Sequence, residues 1–118
     1  MAGFRKEKLE EEIKRVVADT LLSEIKDPRI GFVTITKVVL SRDYAVADVG
    51  FSVIGTDAEK KKSLMGLESA AGYFQHVVGR QIKLRNTPRI RFHLDTSIEE
   101  GVNMVNMLEK LERGDKID

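Results

Sequence analysis

The proline at position 28 constrains the fold most, because it separates a helical pattern from two strand patterns. Before it, apolar residues recur every three or four positions, which predicts an amphipathic helix over residues 6–26. This apolar stripe consists of Leu9, Ile13, Val16, Val17, Thr20, Leu21 and Ile25. The residue before a proline is disfavoured in the α region, so we expect the helix to end at Asp27-Pro28.

Two strands are predicted after the proline. Residues 30–40 are rich in β-branched types, and residues 44–54 alternate with a period of two. The side that we expect to face the core carries Ala45, Ala47, Val49, Phe51 and Val53. Because only Ser41-Arg42-Asp43 separates the two segments, they should pair as an antiparallel hairpin.

A second helical pattern begins at Thr56-Asp57-Ala58-Glu59, which fits a capping box. Its apolar stripe includes Leu64, Leu67, Ala71 and Phe74. Small residues interrupt the pattern over 69–72, where a helix can kink. Gly79 lowers the helix propensity of the segment after this interruption. The sequence therefore predicts a kinked pair of helices.

The chain ends with a third strand and a further helix. Thr87-Pro88 leads into a strand over residues 89–95, and a second capping box begins at Ser97. The helix after it would carry Ile98, Val102, Val105, Leu108 and Leu111 and end near Gly114. We expect a single α+β domain over residues 1–118, with helices covering one face of a three-stranded sheet, residues 5–112 ordered and residues 113–118 frayed.

The segment from Gly79 to His93 is basic and contains no acid. Its five cations are Arg80, Lys83, Arg85, Arg89 and Arg91. In its last part, apolar residues alternate with Arg89, Arg91 and His93, so one face of the strand should be basic. Such a face beside a basic helix end can hold a phosphate backbone. The alternative is a row of ordinary solvated charges.

Charge is distributed unevenly along the chain. Residues 1–94 carry 17 Lys and Arg against 12 Asp and Glu, whereas residues 95–118 carry 3 against 7. A basic body with an acidic tail favours a polyanionic partner for the body, although the two parts could also attract each other. Weaker candidates for RNA contact are the run Lys60, Lys61 and Lys62, and Arg42 at the hairpin turn. Each of these can equally be an exposed charge.

Several classes of function are disfavoured. The chain has no cysteine and two histidines, His76 and His93, which do not provide a metal site. It has no phosphate-binding loop, dinucleotide fingerprint or nucleophile elbow, so we expect no enzyme activity, cofactor or small-molecule substrate. It also lacks a membrane-spanning apolar run and the apolar core of a signal peptide. These features indicate a cytoplasmic protein without a membrane partner.

The element order with a kinked helix pair is similar to a type II KH domain, an RNA-binding fold that clamps the RNA backbone with a Gly-x-x-Gly loop. This chain carries Ala70-Ala71-Gly72 instead. That motif, together with EIKDPR (24–29), LSRD (40–43), Leu84-Arg85-x-x-Pro88 and DTSIEEG (95–101), resembles the bacterial ribosome-binding factor A family. The resemblance extends from about Arg5 to Leu111.

The resemblance implies a non-catalytic protein that binds the immature small (30S) ribosomal subunit and its rRNA. It implies a role in late subunit maturation and processing of the 16S rRNA 5′ end, release before translation, and an association with growth in the cold. We expect the protein to be a monomer. Ala70 and Gly72 would set the kink and could also let the RNA backbone approach. Two alternatives stay open: a general single-stranded RNA-binding module, and a domain that binds an acidic protein.

Overall fold

The computed structural model describes the backbone of residues 2–97 and the side chains of residues 5–97. Its elements are α1 (Ala2–Ser23), β1 (Val33–Leu40), β2 (Val46–Val53), α2 (Asp57–Ser69), α3 (Ala71–Gln81) and β3 (Arg89–Leu94). This order confirms the predicted α+β, type II KH-like class. The predicted C-terminal helix from Ile98 to Leu111 and the tail over 113–118 lie outside the described residues. No helix within residues 2–97 is long and apolar enough to cross a membrane.

The sheet has the order β1-β2-β3, with β2 in the centre. β1 pairs with β2 in antiparallel fashion, as the predicted hairpin requires, with a register irregularity between Ile35 and Lys37. β3 pairs with β2 in parallel, placing Val49 opposite Phe92. Parallel neighbours need a long crossover connection, and the kinked pair α2–α3 supplies it.

The core lies between the sheet and the helices. Ala47, Val49 and Phe51 of β2 are fully buried, which confirms the predicted inward face of this strand. Phe74 of α3 meets Phe92 of β3 edge to face, with ring centroids 5.2 Å apart. The middle of the α1 stripe is buried as predicted, and its ends are half-buried.

The first helix differs from the prediction at both ends, since it begins at Ala2 and ends at Ser23. Its last turn loosens because the amides of both Glu24 and Ile25 donate to the Thr20 carbonyl. The chain then closes a turn in which the Ile30 amide donates to the Asp27 carbonyl. Asp27 also accepts from the Arg29 backbone and pairs with its guanidinium at 2.7 Å. These bonds, together with Pro28, exclude residues 24–26 from the helix.

The strands are shorter than predicted. β1 begins at Val33 rather than residue 30, because the amides of Ile30 and Gly31 donate to the Asp27 carbonyl and to Ser63 Oγ rather than to a strand. β2 begins at Val46 rather than residue 44, so Ala45 is exposed in the turn and does not join the core. β3 ends at Leu94, one residue before its predicted end.

The predicted capping box at Thr56 and the kink are both present. Thr56 Oγ1 accepts from the Glu59 amide at 3.2 Å, and Glu59 Oε1 accepts from the Thr56 amide at 3.2 Å. The helix breaks at Ala70, whose φ of −92° and ψ of 0° separate α2 from α3. The Phe74 amide still bonds to the Ala70 carbonyl, so the two helices change direction without losing contact.

We predict that Gly66→Ala lowers the free energy of unfolding by about 1–3 kcal/mol. A Cβ at this buried position would lie 2.6 Å from Ile30 Cγ1, so α2 and the 27–31 turn would have to separate. Urea denaturation measures the change. Gly72→Ala is the matched control, because a Cβ there meets nothing within 4 Å. Equal stability of Gly66→Ala and the wild type would contradict the close approach.

Candidate nucleic-acid interface

A groove of about 450 Å³ runs between the kinked helix pair and the edge strand β3. We call it the edge groove; its lining residues are Glu68, Ala71, Gly72, Gln75, Arg89, Ile90, Arg91 and Phe92. The crossover brings the kink residues Ala71 and Gly72 beside Arg89 and Arg91, which lie far away in sequence. Two predicted parts of the site, the small-residue kink and the basic strand, therefore meet.

Both arginines of the edge groove are exposed. Arg91 has a weak ionic neighbour, since its Nε is 4.0 Å from Asp48 Oδ1 and the two side chains are 59% and 48% exposed. An exposed pair at this distance contributes little, so the guanidinium stays available to another anion. Guanidinium groups offer a planar fork of donors that matches phosphate oxygens. Among the residues that the structure describes, Glu68 is the one acid in the lining of this groove.

Gly72 has no steric role within the described fold. Nothing lies within 4 Å of a Cβ built there, and its φ is not positive. The break itself is at Ala70, which packs partly against the core. Gly72 is the second residue of α3, and no neighbour among residues 2–97 requires glycine there. It does leave the wall of the edge groove open to the close approach of another backbone.

A second cleft, of about 660 Å³, lies at the hairpin turn. We call it the hairpin cleft; its lining residues are Arg5, Leu9, Asp43, Tyr44, Ala45, Lys83, Leu84, Arg85, Asn86 and Pro88. The loop that carries Lys83 and Arg85 folds closely against α3. A Cβ at Gly79 would lie 2.8 Å from Thr87 Oγ1, so glycine at this helical position permits the approach.

The turn that holds Tyr44 is fixed by several hydrogen bonds. The Tyr44 amide donates to the Ser41 carbonyl at 3.0 Å, and the Ser41 amide donates to the Val46 carbonyl at 2.8 Å. Asp43 Oδ1 accepts from Ser41 Oγ and from the Ala45 amide. These two bonds lower the pKa of the Asp43 carboxyl. Tyr44 itself adopts a φ of 62°, in the left-handed region.

The structure divides the predicted group of five cations. Arg89 and Arg91 line the edge groove, whereas Lys83 and Arg85 line the hairpin cleft. Arg80 is exposed in the last turn of α3 and lines neither.

Tyr73, an aromatic residue just after the kink, makes a hydrogen bond within the fold. It lies on α3 two turns before Arg80, and its hydroxyl donates to Glu24 Oε1 at 2.7 Å. That bond raises the pKa of the Tyr73 hydroxyl, and the Arg80 cation opposes the effect.

The remaining candidates are not part of the lining of either cleft. Lys60, Lys61 and Lys62 occupy the beginning of α2, and Lys62 lines a third cleft with Arg29 and Phe32. Arg42 is exposed in the turn beside the hairpin cleft but is not part of its lining. Residues 5–97 contain no cluster of three or more metal-binding side chains. The sequence did not predict Tyr44 as a site residue, because in an alternating pattern it has the position of an outward-facing strand residue.

A polar group lies on the face of the sheet opposite the core. Thr36, His93 and Asp95 surround Gly50, where a Cβ would lie 3.0 Å from Thr36 Oγ1 and 3.2 Å from His93 Nε2. Thr36 Oγ1 donates to Asp95 Oδ2 at 2.6 Å, and the Ser97 amide donates to Asp95 Oδ1 at 2.9 Å. Chiefly through the Thr36 bond, the pKa of Asp95 falls to about 2. His93 is thus a neighbour of this network.

Comparisons with known proteins agree on one family. The family model described as ribosome-binding factor A matches residues 5–108. A ribosome-binding factor A from Natranaerobius thermophilus is 43% identical over 98% of this chain and 88% of its own length. The crystal structure of ribosome-binding factor A from Thermus thermophilus has a TM-score of 0.68 at 27% identity, covering 75% of this chain and 93% of that one.

A further structure similar to this chain is a homology model of Thermus thermophilus ribosome binding factor A, fitted into the cryo-EM map of its complex with the 30S subunit. Its TM-score is 0.64 at 26% identity, covering 78% of this chain and 97% of that one. The chain therefore belongs to the ribosome-binding factor A family.

The bond between Thr36 and Asp95 predicts a defined pH dependence. Because the pKa of Asp95 is lower in the folded protein than its ordinary value of 3.8, the stabilisation is present above about pH 4 and is lost as the pH falls toward 2. Thr36→Val should raise the pKa of Asp95, which a carboxyl NMR titration measures. The variant should be less stable than the wild type at neutral pH, and this difference in stability should shrink as the pH falls through that range. Thr34→Val, also on β1, is the control. An unchanged Asp95 pKa in Thr36→Val would contradict the assignment.

Proposed function

We propose that this member of the ribosome-binding factor A family binds the small ribosomal subunit and contacts its rRNA through the edge groove. The observation that carries the proposal is the placement of Arg89 and Arg91 opposite the open wall at Gly72. A sugar-phosphate backbone in the groove would meet guanidinium donors on one side and a wall without side-chain bulk on the other. Support for the subunit as partner comes from the family and from the 30S complex of the Thermus thermophilus relative.

The finer parts of the proposal rest on family membership. We infer that binding serves late maturation of the subunit and processing of the 16S rRNA 5′ end, and that the protein acts in the cytoplasm as a monomer. We also infer that residues 5–112 form one ordered domain. A protein that binds one rRNA conformation more tightly than another shifts the population toward the first. The difference between the two affinities sets the size of this shift.

Recognition in the edge groove should depend on shape and charge more than on base identity. The chain lacks the Gly-x-x-Gly loop with which KH domains clamp nucleotides. Contacts from arginine to phosphate position a protein on RNA without reading its sequence. Selectivity for the subunit would then come from the folded shape of the rRNA.

We predict that Arg89→Glu with Arg91→Glu strongly weakens binding to free small subunits. Loss of two phosphate contacts should also reduce the slope of log K against log salt by roughly 1.4–1.8. Sucrose-gradient sedimentation and titration at several salt concentrations measure both effects. The matched control is Arg15→Glu with Lys26→Glu, which makes the same charge change at two exposed cations outside the edge groove.

Each outcome of this comparison has a separate meaning. Loss confined to the edge-groove variant supports the proposal. Equal loss in both double variants would indicate an effect of net charge and would contradict a localised site. Equal affinity of the wild type for unrelated RNA would favour the general RNA-binding module, and no RNA affinity at moderate salt would favour an acidic protein partner.

We predict that Gly72→Ala separates folding from binding. The variant should be at least as stable as the wild type, by up to about 1 kcal/mol, because alanine is the better helix former and meets no neighbour among the described residues. Its affinity for small subunits should nevertheless fall, since the new methyl group projects into the edge groove. Thermal unfolding and subunit titration give the two values. Unchanged affinity would exclude close approach of the RNA backbone at this position.

A further inference from the structure

The hairpin cleft is a separate cavity that the edge-groove proposal does not use. Its volume, about 660 Å³, is within the range of small-ligand sites. Leu9, Leu84 and Pro88 give it an apolar lining, and Arg5, Lys83 and Arg85 add three cations. An apolar surface with cations around it suits a ligand that is both planar and anionic.

Tyr44 is held in this cleft in an unfavourable backbone conformation. A bulky residue with a φ of 62° is a genuine outlier, because its Cβ crowds the following carbonyl. The bonds of Ser41 and Asp43 within the turn hold this conformation in place. Strained residues that the surrounding structure fixes in this way are concentrated at functional sites. The ring also lies beneath Lys6, whose Nζ is 5.9 Å from the ring centroid.

We propose that the hairpin cleft binds one unpaired nucleotide of RNA, with the base stacked on Tyr44 and the phosphate held by Lys83 and Arg85. This inference rests on the proposed function, and it extends that function from backbone contact to capture of a single base. Aromatic side chains stack on bases of any sequence, and neighbouring cations hold the backbone. The ring, the apolar lining and the cations all have a role in binding such a ligand.

The composition of the cleft favours a nucleotide over an acidic peptide. Asp43 lies in the lining, where an amino group of a base can donate a hydrogen bond to its carboxylate and a carboxylate side chain cannot. One oxygen of Asp43 accepts both turn bonds, which leaves the other as an acceptor for the amino group of a base. An acidic peptide would have no use for the stacking surface of Tyr44.

The test replaces Tyr44 while keeping its turn. Glycine adopts positive φ without strain, so Tyr44→Gly removes the ring and preserves the backbone, whereas Tyr44→Phe keeps the ring. Thermal unfolding checks that both variants fold. With free small subunits, Tyr44→Gly should bind about 5- to 150-fold more weakly than the wild type, the range expected for loss of one base–aromatic stack. Tyr44→Phe should bind as the wild type does.

Chemical probing of the rRNA bases gives the second readout. At least one unpaired base should be protected by the wild type and by Tyr44→Phe but not by Tyr44→Gly. If Tyr44→Gly binds and protects like the wild type while Arg89→Glu with Arg91→Glu fails to bind, the inference is overturned and the proposed function survives. If the wild type does not bind subunits, both fail. If a polyglutamate peptide competes for the cleft, and this competition depends on Lys83 and Arg85, the ligand is acidic and the inference is also overturned.

Discussion

The parallel pairing of β2 with β3 determines where the edge groove forms. β2 is buried in the centre of the sheet, with β1 on one side and β3 on the other. A parallel neighbour cannot be reached by a tight turn, so the chain must cross over the sheet through α2 and α3. This crossover lays the kink along the outer side of β3 and creates the edge groove. The contact of Phe74 with Phe92 holds α3 and β3 together in that position.

The three glycines at 66, 72 and 79 show how the same residue type serves different needs. At Gly66 and Gly79 a side chain would meet Ile30 and Thr87, so glycine permits two segments to pack closely. At Gly72 a side chain would meet nothing among residues 2–97, and the helix would favour alanine. Packing therefore explains the first two positions, and the proposed approach of the RNA backbone would account for the third. The space around each glycine thus separates the two that packing requires from the one that it does not.

Local patterns in the sequence predicted the parts of the fold that depend on local physics. The stripe of α1, the alternation of β2 and the capping box at Thr56 arise from spacings of two to four residues, and all three were confirmed. The start of β1 depends on a distant partner, because the Gly31 amide donates to Ser63 Oγ across 32 residues, and it was predicted wrongly.

The candidate site was only partly predictable for a related reason. The cations from Arg80 to Arg91 are close in sequence, but a helix end, a loop and a strand point them in different directions. The left-handed backbone of Tyr44 also follows from bonds that no periodicity reveals. Sequence spacing could therefore identify the basic residues and the kink, while the division of the cations between two clefts required the structure.

The most direct test of the central claim is a cryo-EM structure of this protein bound to a free small ribosomal subunit. We expect the edge groove to face rRNA, with the guanidinium groups of Arg89 and Arg91 within hydrogen-bond distance of phosphate oxygens and the backbone passing close to Gly72. A bound protein whose edge groove faces solvent or a ribosomal protein would contradict the claim.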